Sequence, residues 1–288
     1  MRISLFIKSI FTITAMLFIA ACSGSSSSAP IYDSVSTTTY KVEYIPVTTS
    51  AEGKTTYKIR LTNKSDGKAV TGKNITLAAT MDMTTMSHST PATSLIDNSD
   101  GTYSGTIYYV MASVDASGAS MGTWKLEFTV DGETATFNPL VAMSTGSVAK
   151  LKGVGDTIGS MMGMGTSPRT YQLFNDGISG TDVKLFITAV DDAMMMTFPA
   201  VSVGTNLHDA MGMVVPVTSM VVEVSTDKTI WTSFTDNSNG FWSASYPSSL
   251  ASGSTLYLRL TVNGELKTTD GKALATDGSN GYQTLTVF

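Results

Sequence analysis

Two stretches of this chain repeat, and what repeats is the pattern of β-strands joined by tight turns. Asp97-Asn98-Ser99-Asp100-Gly101-Thr102-Tyr103-Ser104 matches Asp236-Asn237-Ser238-Asn239-Gly240-Phe241-Trp242-Ser243. Further along, Trp124-Lys125-Leu126-Glu127-Phe128-Thr129-Val130-Asp131-Gly132-Glu133 matches Leu256-Tyr257-Leu258-Arg259-Leu260-Thr261-Val262-Asn263-Gly264-Glu265. Upstream, Lys58-Ile59-Arg60-Leu61 parallels Lys184-Leu185-Phe186-Ile187, so the repeat covers most of two related modules. Within them apolar residues fall at every second position, as in Tyr40, Val42, Tyr44 and in Tyr57, Ile59, Leu61. That period places one set of side chains on a buried sheet face. Asp131-Gly132 and Asn263-Gly264 each follow such a run and supply the positive φ angles that a two-residue type I′ hairpin requires. No stretch after the N-terminal segment combines helical spacing with start and stop signals, so little helix is expected. Short strands with closely spaced turns favour sandwiches, each large enough for its own core.

At the N-terminus Arg2 and Lys8 precede an apolar run, from Phe11 to Ala21, that is too short to cross a bilayer. This is an export signal. Its end, Ile19-Ala20-Ala21-Cys22, resembles the lipobox of bacterial lipoproteins, which implies cleavage before Cys22 and lipidation of that residue. The expected partner of Cys22 is therefore the membrane, since several acyl chains on one residue exceed what stable anchoring needs. Ser23 in place of Asp after the cysteine implies an outer-membrane location facing the periplasm rather than the inner membrane. Cys22 is the single cysteine, which excludes a disulfide framework, a thiolate metal site and covalent haem attachment. The expected layout is signal peptide over 1–21, lipidated Ser-rich tether over 22–38, first β-sandwich over 39–143, a Gly/Ser/Met linker over 144–168, and second β-sandwich over 169–288.

The chain carries a formal net charge of −5, made more negative when Arg2 and Lys8 leave with the signal. Without clusters of Lys and Arg it has no electrostatic footprint for nucleic acid. Catalysis finds no support either. There are two histidines, no GxSxG elbow, no HExxH, no phosphate loop and no dinucleotide fingerprint. Asp191-Asp192 is a carboxylate pair, but neighbouring strand residues point to opposite faces, so a turn is its expected home. The Asp97 turn has its glycine one position early for an EF-hand and lacks the downstream bidentate Glu, which makes it a structural turn. No enzyme is expected.

The methionines remain, seventeen of them. Most are expected to fill core gaps. The segment Met81-Asp82-Met83-Thr84-Thr85-Met86-Ser87-His88 breaks the strand period, and Pro91 follows it. Met83-x-x-Met86-x-His88, with Met81 beside it, offers thioethers and an imidazole to one small ion. Thioethers bind without losing a proton and suit Cu(I) in an oxidising compartment. With one imidazole in the segment, Cu(II) and Zn(II) fit less well. A possible second metal site draws on Met194, Met196, His208, Met211 and Met213. Met161, Met162 and Met164 lie in the expected linker.

The order of Val70-Thr71-Gly72-Lys73-Asn74-Ile75, the Met-rich segment ending in His88, Asp97-x-x-Asp100-Gly101-Thr102-Tyr103-x-Gly105, and Gly122-Thr123-Trp124-Lys125-Leu126 resembles the FixH/YtkA-like group of extracytoplasmic immunoglobulin-like modules. The resemblance covers residues 40–143 and reaches the second module through the repeat. It implies an all-β fold of two tandem immunoglobulin-like β-sandwiches, with Met83, Met86 and His88 as candidate ligands and Met81 as a further sulfur. It also implies copper chaperones or oxidase-assembly proteins as partners. The second module departs from the pattern, since its strand near Val221 to Thr226 lacks the Met/His segment. Two functions stay open: a lipid-anchored soft-metal protein, or a surface adhesion or scaffold lipoprotein whose methionines serve packing and whose partner is a protein or glycan.

Overall fold

A computed structural model describes residues 33–84, 86–159, 165–191 and 197–288. Every regular element among them is a strand. The first module runs β1 (Asp33–Ser36), β2 (Tyr40–Pro46), β3 (Gly53–Asn63), β4 (Ile75–Asp82), β5 (Ser87–Ser89), β6 (Ile96–Asp97), β7 (Thr102–Tyr109), β8 (Thr123–Val130) and β9 (Glu133–Phe137). These form two antiparallel sheets, ordered β1-β2-β3-β7-β6 and β5-β4-β8-β9. The second module runs β10 (Val148–Gly159), β11 (Thr166–Ser179), β12 (Asp182–Ala189), β13 (Asn206–His208), β14 (Val214–Pro216), β15 (Met220–Ser225), β16 (Thr232–Ser233), β17 (Thr235–Asp236), β18 (Phe241–Ser245), β19 (Thr255–Val262), β20 (Glu265–Leu266) and β21 (Gln283–Thr286). Its main sheets, β10-β11-β12-β18-β17 and β16-β15-β19-β20, reproduce the strand order of the first module. A hairpin of β13 with β14, and β21 paired to β19, are additions. The chain is an all-β pair of tandem immunoglobulin-like sandwiches.

The repeat extends to individual hydrogen bonds. In one turn the Asp97 carboxylate accepts from the Ser99 N–H at 2.7 Å, and Asn98 Nδ2 donates to Ser104 Oγ at 2.7 Å. In the other, Asp236 accepts from Ser238 at 2.7 Å and Asn237 donates to Ser243 at 2.8 Å. These oxygens hold the turn through Asx bonds. Both expected type I′ hairpins form, with φ of 49° and 81° at Asp131 and Gly132 and of 50° and 80° at Asn263 and Gly264.

Two boundaries differ from the sequence reading in the same way. The tether expected over 22–38 includes β1, and the linker expected over 144–168 includes β10, the first strand of the second module. Both are edge strands that open a module. Asp-Ser-Val-Ser in β1 is mostly exposed and shows no apolar alternation. In β10, Ala149, Leu151 and Ile158 are buried, but lysines and glycines between them obscure the pattern.

The modules share more than a chain connection. Phe174, Phe186, Val190, Phe198 and Ile158 of the second module belong to the same buried cluster as the first module's core. Phe186 stacks on Tyr108 with ring centroids 4.1 Å apart, and Phe241 lies 4.9 Å from Phe186. Around this contact the Tyr108 hydroxyl donates to Asp176 at 2.6 Å, Lys54 pairs with the same carboxylate at 2.8 Å, and Lys150 pairs with Glu52 at 2.7 Å. The ion pairs at this partly exposed rim contribute up to about 1 kcal/mol each, so the aromatic burial dominates.

Within the first core, Tyr57 in β3 faces Gly105 in β7, and its ring fills the space above the glycine. A Cβ at 105 would collide with the Tyr57 hydroxyl oxygen and lie 2.6 Å from the ring carbon that bears it. The expected outcome for Gly105→Ala is a loss of about 1–3 kcal/mol, from forcing a fully buried ring aside. Urea denaturation measures it, and an unchanged midpoint would refute the packing account.

Candidate functional site

The Met81 to His88 segment is the β4–β5 hairpin, closed by the Met83 N–H donating to the Met86 carbonyl at 2.8 Å. Met81 sits directly across the ladder from His88 on one side and from Trp124 on the other. Met81 is fully buried, His88 is 2% exposed, and Met83 and Met86 are half-buried. The side chains of Met81 and Met83 both close on Gly122. A Cβ there would lie 2.8 Å from Met81 Cε and 3.1 Å from Met83 Cγ. The fold thus sets Met81 across from His88 and brings Met81 and Met83 to the same glycine. Met111 and Met121 pack against the same core from the β7–β8 connection. Nothing in their local pattern signals this, since the fold alone brings that connection to the hairpin.

His88 Nδ1 lies 3.1 Å from the Ser89 carbonyl. A carbonyl only accepts, so Nδ1 carries the proton and Nε2 presents its lone pair. Nε2 is buried and among the described residues has no hydrogen-bond partner. The ring packs edge-on against Trp124 at 5.3 Å and against Phe198 of the second module at 5.9 Å. Burial pushes its pKa down, with the Ser89 carbonyl opposing, which favours the neutral imidazole. A neutral ring anchored through one nitrogen and unpartnered at the other is the form a soft cation binds. The imidazole is thus in the form a soft cation such as Cu(I) would need, inside an apolar wall.

In the second module the candidates are held differently. His208 Nδ1 is 2.8 Å from Asp191 Oδ2, and its backbone N–H donates to Asp191 Oδ1 at 2.6 Å. Met211 and Met213 sit in the β13–β14 turn, 86% and 63% exposed, their N–H groups donating to Asp209 Oδ1. Met194, Met196, Met161, Met162, Met164 and Cys22 lie outside the described residues. Among the described residues no group of three or more His, Cys, Asp or Glu side chains is placed to hold a metal ion.

A charged cleft of about 370 Å³ was invisible in the sequence. Between Lys152 and Thr157, β10 bulges away from β11, and the bulge turns Asp156 inward. There Asp156 accepts from Arg169 Nε at 2.9 Å, Lys267 Nζ at 3.0 Å and the Tyr171 hydroxyl at 2.7 Å. Arg169 and Lys267 are both 1% exposed. Glu265 takes the second bond from Lys267 at 2.7 Å and caps the N–H groups of Val154 and Gly155. Arg169 reaches on to the Val190 carbonyl, Asp191 and the His208 carbonyl. Burial pushes the Asp156 carboxyl upward, but Lys267, Tyr171 and Arg169 together outweigh it and hold it below the usual range. The partners are mutually neutralised, so the network pins a bulge rather than offering a reactive group.

No family model matches the chain, and no curated protein matches it. Among solved structures it is similar to the Escherichia coli adhesin FdeC, at 13% identity over 89% of this chain and 66% of the other, with a TM-score of 0.24. It is also similar to the Yersinia pseudotuberculosis adhesin InvE, at 12% identity over 85% and 58%, TM-score 0.27. A third is invasin, a bacterial integrin-binding protein, at 11% identity over 86% and 40%, TM-score 0.26. The chain spans two thirds or less of the length of each. At these scores the fold rests on the chain's own sheets.

Two acid-linked groups follow from the geometry. Asp156 has a folded pKa below its unfolded value near 3.9, so its stabilisation is present above about pH 4 and lost as pH falls through the folded value. The folded pKa of His88 lies below 6.5, so stability also falls with pH beneath about 6.5 as the unfolded state takes up a proton that the fold resists. The expected result is that His88→Phe flattens the thermal midpoint between pH 6.5 and 5. Asp156→Asn should cost about 3–5 kcal/mol at neutral pH by leaving Arg169 and Lys267 short of a counter-charge. Melts across pH decide both, and wild-type slopes in both variants would count against these assignments.

Proposed function

We propose that this chain is an exported, lipid-anchored scaffold or adhesion protein whose two modules act as one stiff body, working by binding and not by catalysis. One observation carries the reading: the first module's core runs into the outer face of the second module's β10-β11-β12 sheet through Tyr108, Phe174 and Phe186. A tandem pair joined by a linker would be free to reorient, whereas a shared aromatic core fixes the pair. Such stiffness serves a protein that must hold a binding face at a set position, and the lipid expected on Cys22 would supply the attachment, at the outer membrane. The absence of a nucleophile or acid–base constellation in the sequence accords with a non-enzymatic role.

Small-angle scattering tests this. The wild-type chain should fit a single arrangement of its modules, and Tyr108→Ala with Phe186→Ala should enlarge the radius of gyration and split one thermal transition into two. A wild type that already scatters as a flexible pair would sink the reading.

A second reading, soft-metal binding, is favoured by one specific feature: the buried Nε2 of His88, unpartnered among the described residues, on a residue directly across from Met81. It agrees with the FixH/YtkA-like resemblance and with its implied copper partners. Under reducing conditions the mature chain should then compete with a chromophoric chelator for one Cu(I). His88→Phe, or Met81→Leu with Met83→Leu, should abolish that competition while the fold is kept. No competition by the wild type ends this reading.

A further inference from the structure

The repeat places the β15–β16 connection of the second module where the first has its Met/His hairpin. In the first module that corner is covered by Phe198 of the second. In the second module the corresponding corner, with the sheet face beside it, carries a set of side chains of another kind. Tyr257 and Arg259 alternate with the buried Leu256, Leu258 and Leu260 along β19, so they point outward from the core. Trp231 lies beneath Arg259, whose guanidinium carbon sits 3.8 Å from the indole centroid. Lys228 Nζ lies 4.5 Å from the Tyr257 ring centroid and 4.9 Å from that of Tyr282, and the two rings meet edge to face at 5.4 Å. Ile230 beside them is 68% exposed.

Two features distinguish this face from an ordinary solvated one. First, its cations are held in place and only one of the two, Arg259, has a carboxylate partner. Among the described residues Lys228 makes no salt bridge, and Arg259 gives Nη2 to Glu223 at 3.0 Å while its buried Nε has no partner. The nearest carboxylate in sequence, Asp227, is turned away and occupied by the N–H groups of Thr229 and Ile230 at 2.8 and 2.9 Å. Second, the loop is fixed in shape. Lys228 has a φ of 65°, and the Trp231 indole N–H donates to the Lys228 carbonyl at 3.1 Å. On a chain of net charge −5, this is a preformed cation and aromatic platform.

Charge complementarity asks for an anion, and the rings ask for a ligand with an apolar flank. The platform is a handful of side chains, against roughly 20–30 per partner in a standard protein interface, which favours a small repeating ligand. A pyranose carrying a carboxylate meets both needs. Its axial C–H groups stack on an electron-rich ring, and its carboxylate lies between an ammonium and a guanidinium. We infer that the outer face formed by Lys228, Trp231, Tyr257, Arg259 and Tyr282 binds acidic polysaccharide through successive uronic acid residues. This rests on the scaffold or adhesion reading and names the partner class for it.

The test uses the full mature chain in affinity electrophoresis through polygalacturonate, with neutral dextran and poly-glutamate as comparison matrices. Retention by polygalacturonate alone, weakened by salt, is expected. Trp231→Ala and Lys228→Gln should each weaken it by about tenfold, with thermal midpoints unchanged. No retention, equal retention by dextran, retention by poly-glutamate in place of the polysaccharide, or variants that bind like the wild type would each overturn the inference. Scattering on the same sample separates the two levels. A stiff pair without retention leaves the scaffold reading standing, and a flexible pair with retention does the reverse.

Discussion

The stack of Tyr108 on Phe186 is the contact on which the arrangement of this molecule depends. It lies where the end of one sandwich meets the outer face of the next, a surface that in a lone module would face water. Phe174, Phe186 and Phe241 occupy outward positions on β11, β12 and β18, and burying them needs a neighbour. Large aromatic rings on an otherwise solvated face would be a liability in a single domain. The first module removes that liability, so the second module's sequence makes physical sense only in tandem. The same contact seals His88 beneath Phe198 and thereby sets the low-dielectric surroundings that keep its imidazole neutral.

The charged cleft meets a different constraint. A bulge in an edge strand leaves backbone N–H groups without ladder partners, and those of Val154 and Gly155 are taken by Glu265. Asp156, turned inward by that bulge, would be costly alone. With Arg169, Lys267 and Tyr171 around it every charge has a counterpart. A cluster so fully satisfied is a poor candidate for chemistry and a good one for holding β10, β11 and β20 in register.

Much of the fold was legible because it rests on local rules. Alternation located β2, β3, β7 and β8, the repeat located β19, and the Asp-Gly and Asn-Gly pairs located two hairpins, since period and positive φ are properties of a few adjacent residues. The opening strands β1 and β10 were missed because an edge strand buries too little for its sequence to alternate cleanly. The candidate site was half legible. The composition of Met81 to His88 pointed to a hairpin with soft donors, and Met81 and His88 do face each other. That Phe198 packs on His88, that Met111 and Met121 line the same core, and that Arg169 and Lys267 meet at Asp156 are long-range facts with no local signature.

The repeat also explains why one architecture carries two unlike corners. Tandem copies begin with the same surfaces, but packing the first against the second buries one copy of the β4–β5 corner and leaves its counterpart at β15–β16 in solvent. A buried corner rewards apolar and polarizable side chains, and Met81, Met83 and His88 are of that kind. A solvated corner can keep half-buried aromatics under cations only where they do not drive self-association. Lys228 over the Tyr257 and Tyr282 rings meets that condition, because its charge keeps copies apart while leaving the face open to an anion. Divergence at this one position therefore follows from which side of the junction each copy occupies.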